Sequence, residues 1–251
     1  MIKDPEVDRL AVVRQLAEAE QQEFLAFAKG LTPQQWQAPT LCLGLSTRDI
    51  VVHVAWHFKN DDGAALVPLA VRSRFQLLRS GLRGGGKVLD DYQRPRYGSL
   101  STEGVIAWLS SPIVVGGRLT RPFRRAVFVQ RLIEADVLNA LSEMVIHQQD
   151  VRRALELPRV IAPDRLRALL DFSMTRRGEF IVGLPSITRG LRFVATDFEW
   201  TAGEGAEVSG PGEALLMARA ARALALADLS GPGCKTLEQR IKAFSAKVDA
   251  A

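Results

Sequence analysis

The chain has 251 residues, of which 47% are hydrophobic and 24% charged, and its net charge is +5. This length and composition fit one large globular domain or two modest ones with a buried core. An uninterrupted apolar run of roughly eighteen residues is absent, and "MIKDPEVDRL" lacks the layout of a secretory signal, which argues against a membrane span and export. Two well-separated cysteines give no disulfide framework, so we expect a reduced, cytoplasmic protein.

The positive charge is concentrated between residues 72 and 125, where eleven Lys and Arg residues and three acidic residues give a net charge of +8. A local basic zone of this kind indicates an anionic partner: a carboxylate substrate, nucleic acid or a membrane surface. A solvated surface of arginines is the alternative. The segment has few aromatic residues and no recognised reading motif, which argues against nucleic acid.

The first part of the chain predicts a series of helices. Apolar residues recur at helical spacing over residues 5–29, and Gly30 ends the pattern. After a Pro-containing connection, Ser46 and Asp49 form a capping-box pattern that predicts a second helix in "TRDIVVHVAWHFKN". A further helix is predicted up to about Arg79, a shorter one within "SLSTEGVIAWLSS", and a long one from near Phe123 to about Leu155. Four main helices predict a four-helix bundle over residues 1–156.

The pattern changes after "LELPRVIAP". Pro163 is suited to the first position of a helix that reaches about Arg177. "GLRFVATDFEW" is rich in β-branched and aromatic residues, and "TAGEGAEVSG" predicts a turn and a return strand. A helix from Pro211 to about Leu229 and a last helix opened by a Thr236–Gln239 capping box follow. We therefore predict a mainly α fold, with a helical bundle followed by a small α+β domain over residues 157–251.

The stretch "LSEMVIHQQD" carries the strongest candidate site. Glu143 and His147 are four residues apart, so they project from one side of the predicted helix. His53 and His57 have the same spacing on the second helix, and the chain has no other histidine. If the two helices pack together, His53, Glu143 and His147 converge in the bundle interior. Two histidines and one carboxylate with an open position are typical of catalytic zinc, and they also suit ferrous iron.

A purely structural interpretation of these residues stays open. Glu-x-x-x-His pairs are common on helices, and His147 could be a core histidine paired with Glu143. His57 lies one turn beyond His53, where we expect the rim of the bundle or solvent. Cys42, directly before the capped helix, is interpreted as a packing residue.

Three segments resemble one protein family. "LTPQQWQAPTLCLGLSTRDIVVHVAWH" and "EMVIHQQDVRRALELPR" resemble the mycothiol-dependent maleylpyruvate isomerase family, and "GLRFVATDFEW" with the residues after it resembles that family's sterol-carrier-like C-terminal domain. The resemblance covers nearly the whole chain in the right order. It implies a DinB-like four-helix bundle that binds a metal, followed by a small α+β domain.

The resemblance also implies roles for particular residues. His53, Glu143 and His147 correspond to the ligands of a divalent metal, usually zinc. Asp150 matches the family's H-x-x-D and would orient a ligand. Arg222 stands where family members often have "G-R" and would hold a carboxylate of the substrate or of the thiol cofactor.

Two departures from the family pattern accompany these matches. Ala221 replaces the glycine that often precedes the arginine. In "CLGL", Leu43 and Leu45 replace the proline and tryptophan of the family's "C-P-G-W", which could reshape the wall of the adjacent pocket.

The implied chemistry uses mycothiol. A metal with one free position can bind a thiol, lower its pKa and supply thiolate for addition to an electron-poor double bond. The resemblance therefore implies an isomerase or thiol S-transferase acting on a small electrophile, for which the basic zone could attract a dicarboxylate. Two alternatives stay open: a metal-dependent hydrolase that uses bound water, and a non-catalytic binding module that uses the arginine-rich segment.

Overall fold

The computed structural model describes residues 5–42, 44–56, 97–113, 127–181 and 185–249. By its internal contacts the chain divides into two compact units, residues 1–158 and 159–250. The predicted domain limits of 1–156 and 157–251 stay a prediction about independent domains. Among the described helices, none combines the length and the apolar character that crossing a membrane requires.

Helices make up the described part of the first unit. They are α1 (Pro5–Gly30), α2 (Pro33–Gln37), α3 (Thr47–Trp56), α4 (Thr102–Leu109) and α5 (Val127–Ala154). α1 packs against α4 and α5, and α3 packs against the same two helices. The predicted helix that ends near Arg79 lies outside the described residues, as do His57 and most of the basic segment.

Capping boxes set the starts of two of these helices. The Ser46–Asp49 capping box is confirmed: Asp49 Oδ2 accepts from the Ser46 backbone N–H at 2.9 Å, and the Asp49 N–H donates to Ser46 Oγ at 3.2 Å. A second capping box joins Thr32 and Gln35 and opens α2. The sequence reasoning treated this stretch as a connection and missed the short helix, although its T-x-x-Q spacing is the same signal.

Apolar contacts between α3 and α5 form the part of the core that positions the candidate site. Ile50 and Val54 on α3, and Leu141, Met144 and Val145 on α5, are completely buried. Burial of side chains of this size stabilises the folded state by about 1.5–3 kcal/mol each. These contacts hold α3 and α5 against each other, so the polar side chains between them have defined positions.

The second unit contains helices and a small sheet. Its elements are α6 (Pro163–Ser173), α7 (Arg176–Ile181), α8 (Pro185–Thr188), β1 (Leu191–Ala195), β2 (Thr201–Gly203), β3 (Ala206–Gly210), α9 (Gly212–Arg219), a 3₁₀ helix (Ala223–Asp228) and α10 (Cys234–Asp249). The strand order is β2-β1-β3. β1 is antiparallel to β2 and parallel to β3, with Phe193 opposite both Ala202 and Val208. The predicted fold class, mainly α with a helical bundle and a small α+β part, is confirmed.

Three details of the second unit correct the predictions. The helix predicted to reach Arg177 ends at Ser173, and Thr175 Oγ1 accepts from the Gly178 N–H at 3.0 Å, which starts α7 separately. The predicted Thr236–Gln239 capping box is wrong, because α10 begins two residues earlier, at Cys234. The helix predicted from Pro211 stops at Arg219, and Ala221 follows in the left-handed region with φ of 62°.

A buried arginine joins α9 to the end of α6. Arg219 is completely buried; its Nε donates to Ser173 Oγ at 2.8 Å and its Nη2 to the Ser173 carbonyl at 2.7 Å. The guanidinium also lies 5.0 Å from the centre of the Phe193 ring. Its burial lowers the pKa of Arg219 to about 10, against the opposing effect of the Glu179 charge. Among the described residues, its Nη1 has no hydrogen-bond partner. The sequence reasoning did not identify this residue.

Candidate metal centre

Three predicted ligands come together between α3 and α5. Glu143 Oε2 lies 3.1 Å from His53 Nε2 and 3.2 Å from His147 Nε2. The two imidazole rings meet edge to face with their centres 5.0 Å apart. All three donor atoms lie within 4.8 Å of one another. The helical spacing and the packing of the two helices therefore produce the convergence that the sequence predicted.

These three side chains are mostly buried. The side chains of His53, Glu143 and His147 are only 12%, 19% and 15% exposed. Removing a carboxylate from water is costly unless it is paired with donors or coordinates a cation. The remaining exposure leaves the cluster partly open to solvent, which a site that admits a small molecule requires.

The donor set fits a divalent metal. In a tetrahedral zinc site with nitrogen and oxygen ligands, neighbouring donor atoms are about 3.4 Å apart, from Zn–N and Zn–O lengths of about 2.1 Å. The His53–Glu143 and Glu143–His147 donor distances of 3.1 and 3.2 Å are close to that spacing. Two imidazole nitrogens and one carboxylate oxygen leave one position of a tetrahedron for a non-protein ligand.

The far side of His147 is held by Asp150. His147 Nδ1 lies 3.0 Å from Asp150 Oδ2, and the Asp150 side chain is completely buried. A carboxylate at this distance favours the proton on Nδ1, which leaves the Nε2 lone pair directed at His53 and Glu143. The position of Asp150 is that expected of a residue that orients a ligand.

The same contacts change the titration of His147. Its burial lowers the pKa, but hydrogen bonds with Asp150, Cys42 and Glu143 outweigh that effect and raise the pKa well above the usual histidine value. In the metal-free protein, His147 therefore carries a proton at higher pH than an ordinary histidine does. A metal ion must displace that proton in order to bind Nε2.

Cys42 also contacts this network. Its Sγ lies 3.0 Å from Asp150 Oδ2, with geometry for donation from the thiol, and 3.8 Å from His147 Nδ1. The sequence reasoning interpreted Cys42 as a packing residue and missed this contact. No local pattern in the sequence signals this contact, because Cys42 and Asp150 are 108 positions apart.

Arg222 lies in the second unit. It is the N-cap residue of the 3₁₀ helix, and its Nη1 donates to the Ala220 carbonyl at 2.7 Å. The residue before it, Ala221, has φ of 62°, a conformation that glycine adopts at least cost. The role of Arg222 toward a substrate stays a prediction.

Comparison with known proteins gives one family match. Residues 17–111 match the family model described as "Mycothiol maleylpyruvate isomerase N-terminal domain". This match confirms the family resemblance over residues 17–111. The matched residues include Cys42 and His53 and end before α5, which carries Glu143 and His147.

Solved structures give a distant likeness. One is a crystal structure of the mycothiol-dependent maleylpyruvate isomerase, and another is that of a mutant of the same enzyme. In both comparisons the sequence identity is 13% and the TM-score 0.44, and the likeness covers 89% of this chain and 92% of the other. A comparison with curated proteins gave no match.

Proposed function

We propose that this chain is a metal-dependent enzyme that uses mycothiol as an isomerase or thiol S-transferase on a small electrophilic substrate. The observation that carries the proposal is the convergence of His53, Glu143 and His147 at donor distances of 3.1 and 3.2 Å. The family match over residues 17–111 supports mycothiol as the thiol. We propose zinc as the metal, because two imidazoles and one carboxylate with an open position are typical of catalytic zinc sites.

The chain's own residues have distinct tasks in this proposal. A divalent metal held by the three ligands would supply a Lewis acid that lowers the pKa of a bound thiol. Glu143 contributes negative charge that balances the cation, and Asp150 accepts a hydrogen bond from the His147 Nδ1–H so that Nε2 stays available. We propose that Arg222 binds a carboxylate of the substrate or of the thiol through its guanidinium.

Isomerisation follows from addition and elimination of the thiol. The thiolate sulfur adds to one carbon of the electron-poor double bond, and the electron pair of that bond moves into the conjugated carbonyl. The former double bond is then single and rotates. Return of the electron pair expels the thiolate and restores the double bond in the trans geometry, so the thiol is not consumed. With an epoxide or a leaving group in the substrate, the same attack gives S-transfer.

Purified full-length protein with added zinc tests the proposal. We expect cis-to-trans isomerisation of maleylpyruvate only when mycothiol is present, and loss of activity by at least about 100-fold in Glu143→Gln. Glu134→Gln is the matched control, because Glu134 lies on the same helix and pairs with Arg9 at 2.7 Å. Isomerisation that needs no thiol would refute the thiol mechanism, and a thiol-independent hydrolysis product would indicate attack by metal-bound water.

We further propose a reducing, cytoplasmic location and small-molecule partners. Cys42 and Cys234, the two cysteines of the chain, form no disulfide. The basic segment of residues 72–125 would attract an anionic substrate in this proposal. Detection of the protein in a cell fraction that holds oxidised proteins would contradict the proposed location.

A further inference from the structure

We propose that Cys42 is a positioning residue for the metal ligand His147 and acts on it through Asp150. The inference rests on the proposed metal-binding function. It concerns a residue outside the set of His53, Glu143 and His147; Cys42, His147 and Asp150 form a second group whose potential ligand atoms lie within 4.8 Å of one another.

The shared oxygen of Asp150 is the first observation. Asp150 Oδ2 lies 3.0 Å from His147 Nδ1 and 3.0 Å from Cys42 Sγ. The carboxylate side chain has no exposure to solvent, so protein donors must replace the water that would otherwise bind it. The Cys42 thiol is one such donor. Its hydrogen bond holds Asp150 Oδ2 in the position where that oxygen accepts a hydrogen bond from the His147 Nδ1–H.

The loop before α3 holds the thiol in place. The Cys42 N–H donates to Thr40 Oγ1 at 3.1 Å, and the Cys42 carbonyl accepts from the Leu45 N–H at 3.0 Å. This turn includes Gly44 with φ of 76°, a conformation suited to glycine. The Leu41 N–H also donates to the Asp150 backbone carbonyl at 3.2 Å. Main-chain and side-chain contacts together fasten this loop to α5 at Asp150.

Cys42 lies near the imidazole nitrogen of His147 that does not contact Glu143. Cys42 Sγ lies on the Nδ1 side of His147, at 3.8 Å, whereas His147 Nε2 is the nitrogen near Glu143. A thiol on the Nδ1 side affects metal binding by setting the direction and basicity of the imidazole. Partners of this kind, one contact beyond the ligands, commonly change metal affinity.

Zinc dissociation constants of the full-length protein, measured by competition with a chromophoric chelator, test the inference. We expect Cys42→Ala to bind zinc about 3- to 10-fold more weakly, because one hydrogen bond to a charged group is lost. Cys42→Ser keeps a donor at the same position and should restore most of the affinity. Cys234→Ala is the matched control, since that thiol lies in α10 of the second unit, and it should bind as the wild type does.

A double-mutant comparison shows whether Cys42 acts through Asp150. In an Asp150→Ala background, Cys42→Ala should cause no further loss of zinc affinity, because the acceptor of the thiol is gone. Full additivity of the two losses would overturn the inference, as would wild-type affinity in Cys42→Ala.

Cobalt substitution gives a readout that does not depend on stability. We expect the visible spectrum of the Co²⁺ protein to shift in Cys42→Ala and to return in Cys42→Ser, with no thiolate-to-cobalt band in the wild type. A thiolate band that disappears in Cys42→Ala would make Cys42 a ligand and overturn the positioning role. A wild-type protein that binds neither zinc nor cobalt would refute the proposed function itself, and the inference with it.

Discussion

Replacement of Asp150 by asparagine should weaken zinc binding in a pH-dependent way. Asp150 Oδ2 accepts from His147 Nδ1 at 3.0 Å in a fully buried position, so the carboxylate makes the imidazole more basic toward both a proton and a metal ion. Loss of such a carboxylate typically reduces metal affinity 10- to 100-fold, which corresponds to about 1.4–2.7 kcal/mol. Asparagine has nearly the same size, so the packing around position 150 is retained.

Proton competition sets the pH dependence of that loss. Burial lowers the pKa of His147, but the hydrogen bond with Asp150 is the largest of the effects that raise it. In the wild type, zinc affinity therefore falls about 10-fold for each pH unit below this raised pKa, as the proton competes with the metal. In Asp150→Asn the pKa of His147 falls, so the zinc affinity of the variant begins to decrease only at a lower pH than in the wild type. The difference in zinc affinity between the two proteins should be largest in alkaline solution and should become smaller in acid.

Chelator competition between about pH 5.5 and about pH 9.5, on both sides of the ordinary histidine pKa, would measure both curves. The other ligands are common to the two proteins, so the difference between the curves reports His147. Equal affinities at every pH, or a difference that does not change with pH, would refute the proposed link between Asp150, the imidazole proton and the metal.

Three further outcomes are expected for metal-free protein in chemical denaturation. Because the pKa of His147 is raised in the folded state, its protonation stabilises the fold fully below about pH 6.5, and this contribution is lost as the pH rises through the folded-state pKa. His147→Gln should therefore flatten the pH dependence of the free energy of unfolding. An unchanged pH dependence in the variant would contradict this explanation. Arg219→Met should lower the free energy of unfolding by about 2 kcal/mol, because two hydrogen bonds to Ser173 are lost; equal or higher stability would show that the burial cost of the charge dominates. Ala221→Gly should raise the free energy of unfolding by about 0.5–1 kcal/mol, since glycine adopts a φ of 62° without the steric penalty of a Cβ. A destabilised variant would contradict this explanation.

Local patterns in the sequence predicted the helices and the candidate ligands well. The i, i+4 spacing of Glu143 and His147 places both on one side of α5, and the Ser46–Asp49 capping box starts α3 at the predicted position. His53 could be associated with that pair because the sequence has only three histidines. Such signals are short in range and follow directly from helix geometry.

The interactions that were missed depend on contacts between residues far apart in the chain. Cys42 and Asp150 are separated by 108 positions, and no local pattern indicates that the thiol donates to that carboxylate. The buried Arg219 is similar, because its acceptor Ser173 lies 46 positions away at the end of another helix. The early end of α9 depends on the backbone conformation at Ala221, where alanine gives no sign of a left-handed residue.

The metal content of the purified full-length protein, beside that of His147→Ala, tests the central claim most directly. Because His53, Glu143 and His147 converge between α3 and α5, we expect about one zinc ion per wild-type chain and almost none in the variant. Mass spectrometry of protein purified without chelators would measure both. A wild-type protein that carries no metal and takes up none when zinc is supplied would contradict the proposed metal centre and the chemistry built on it.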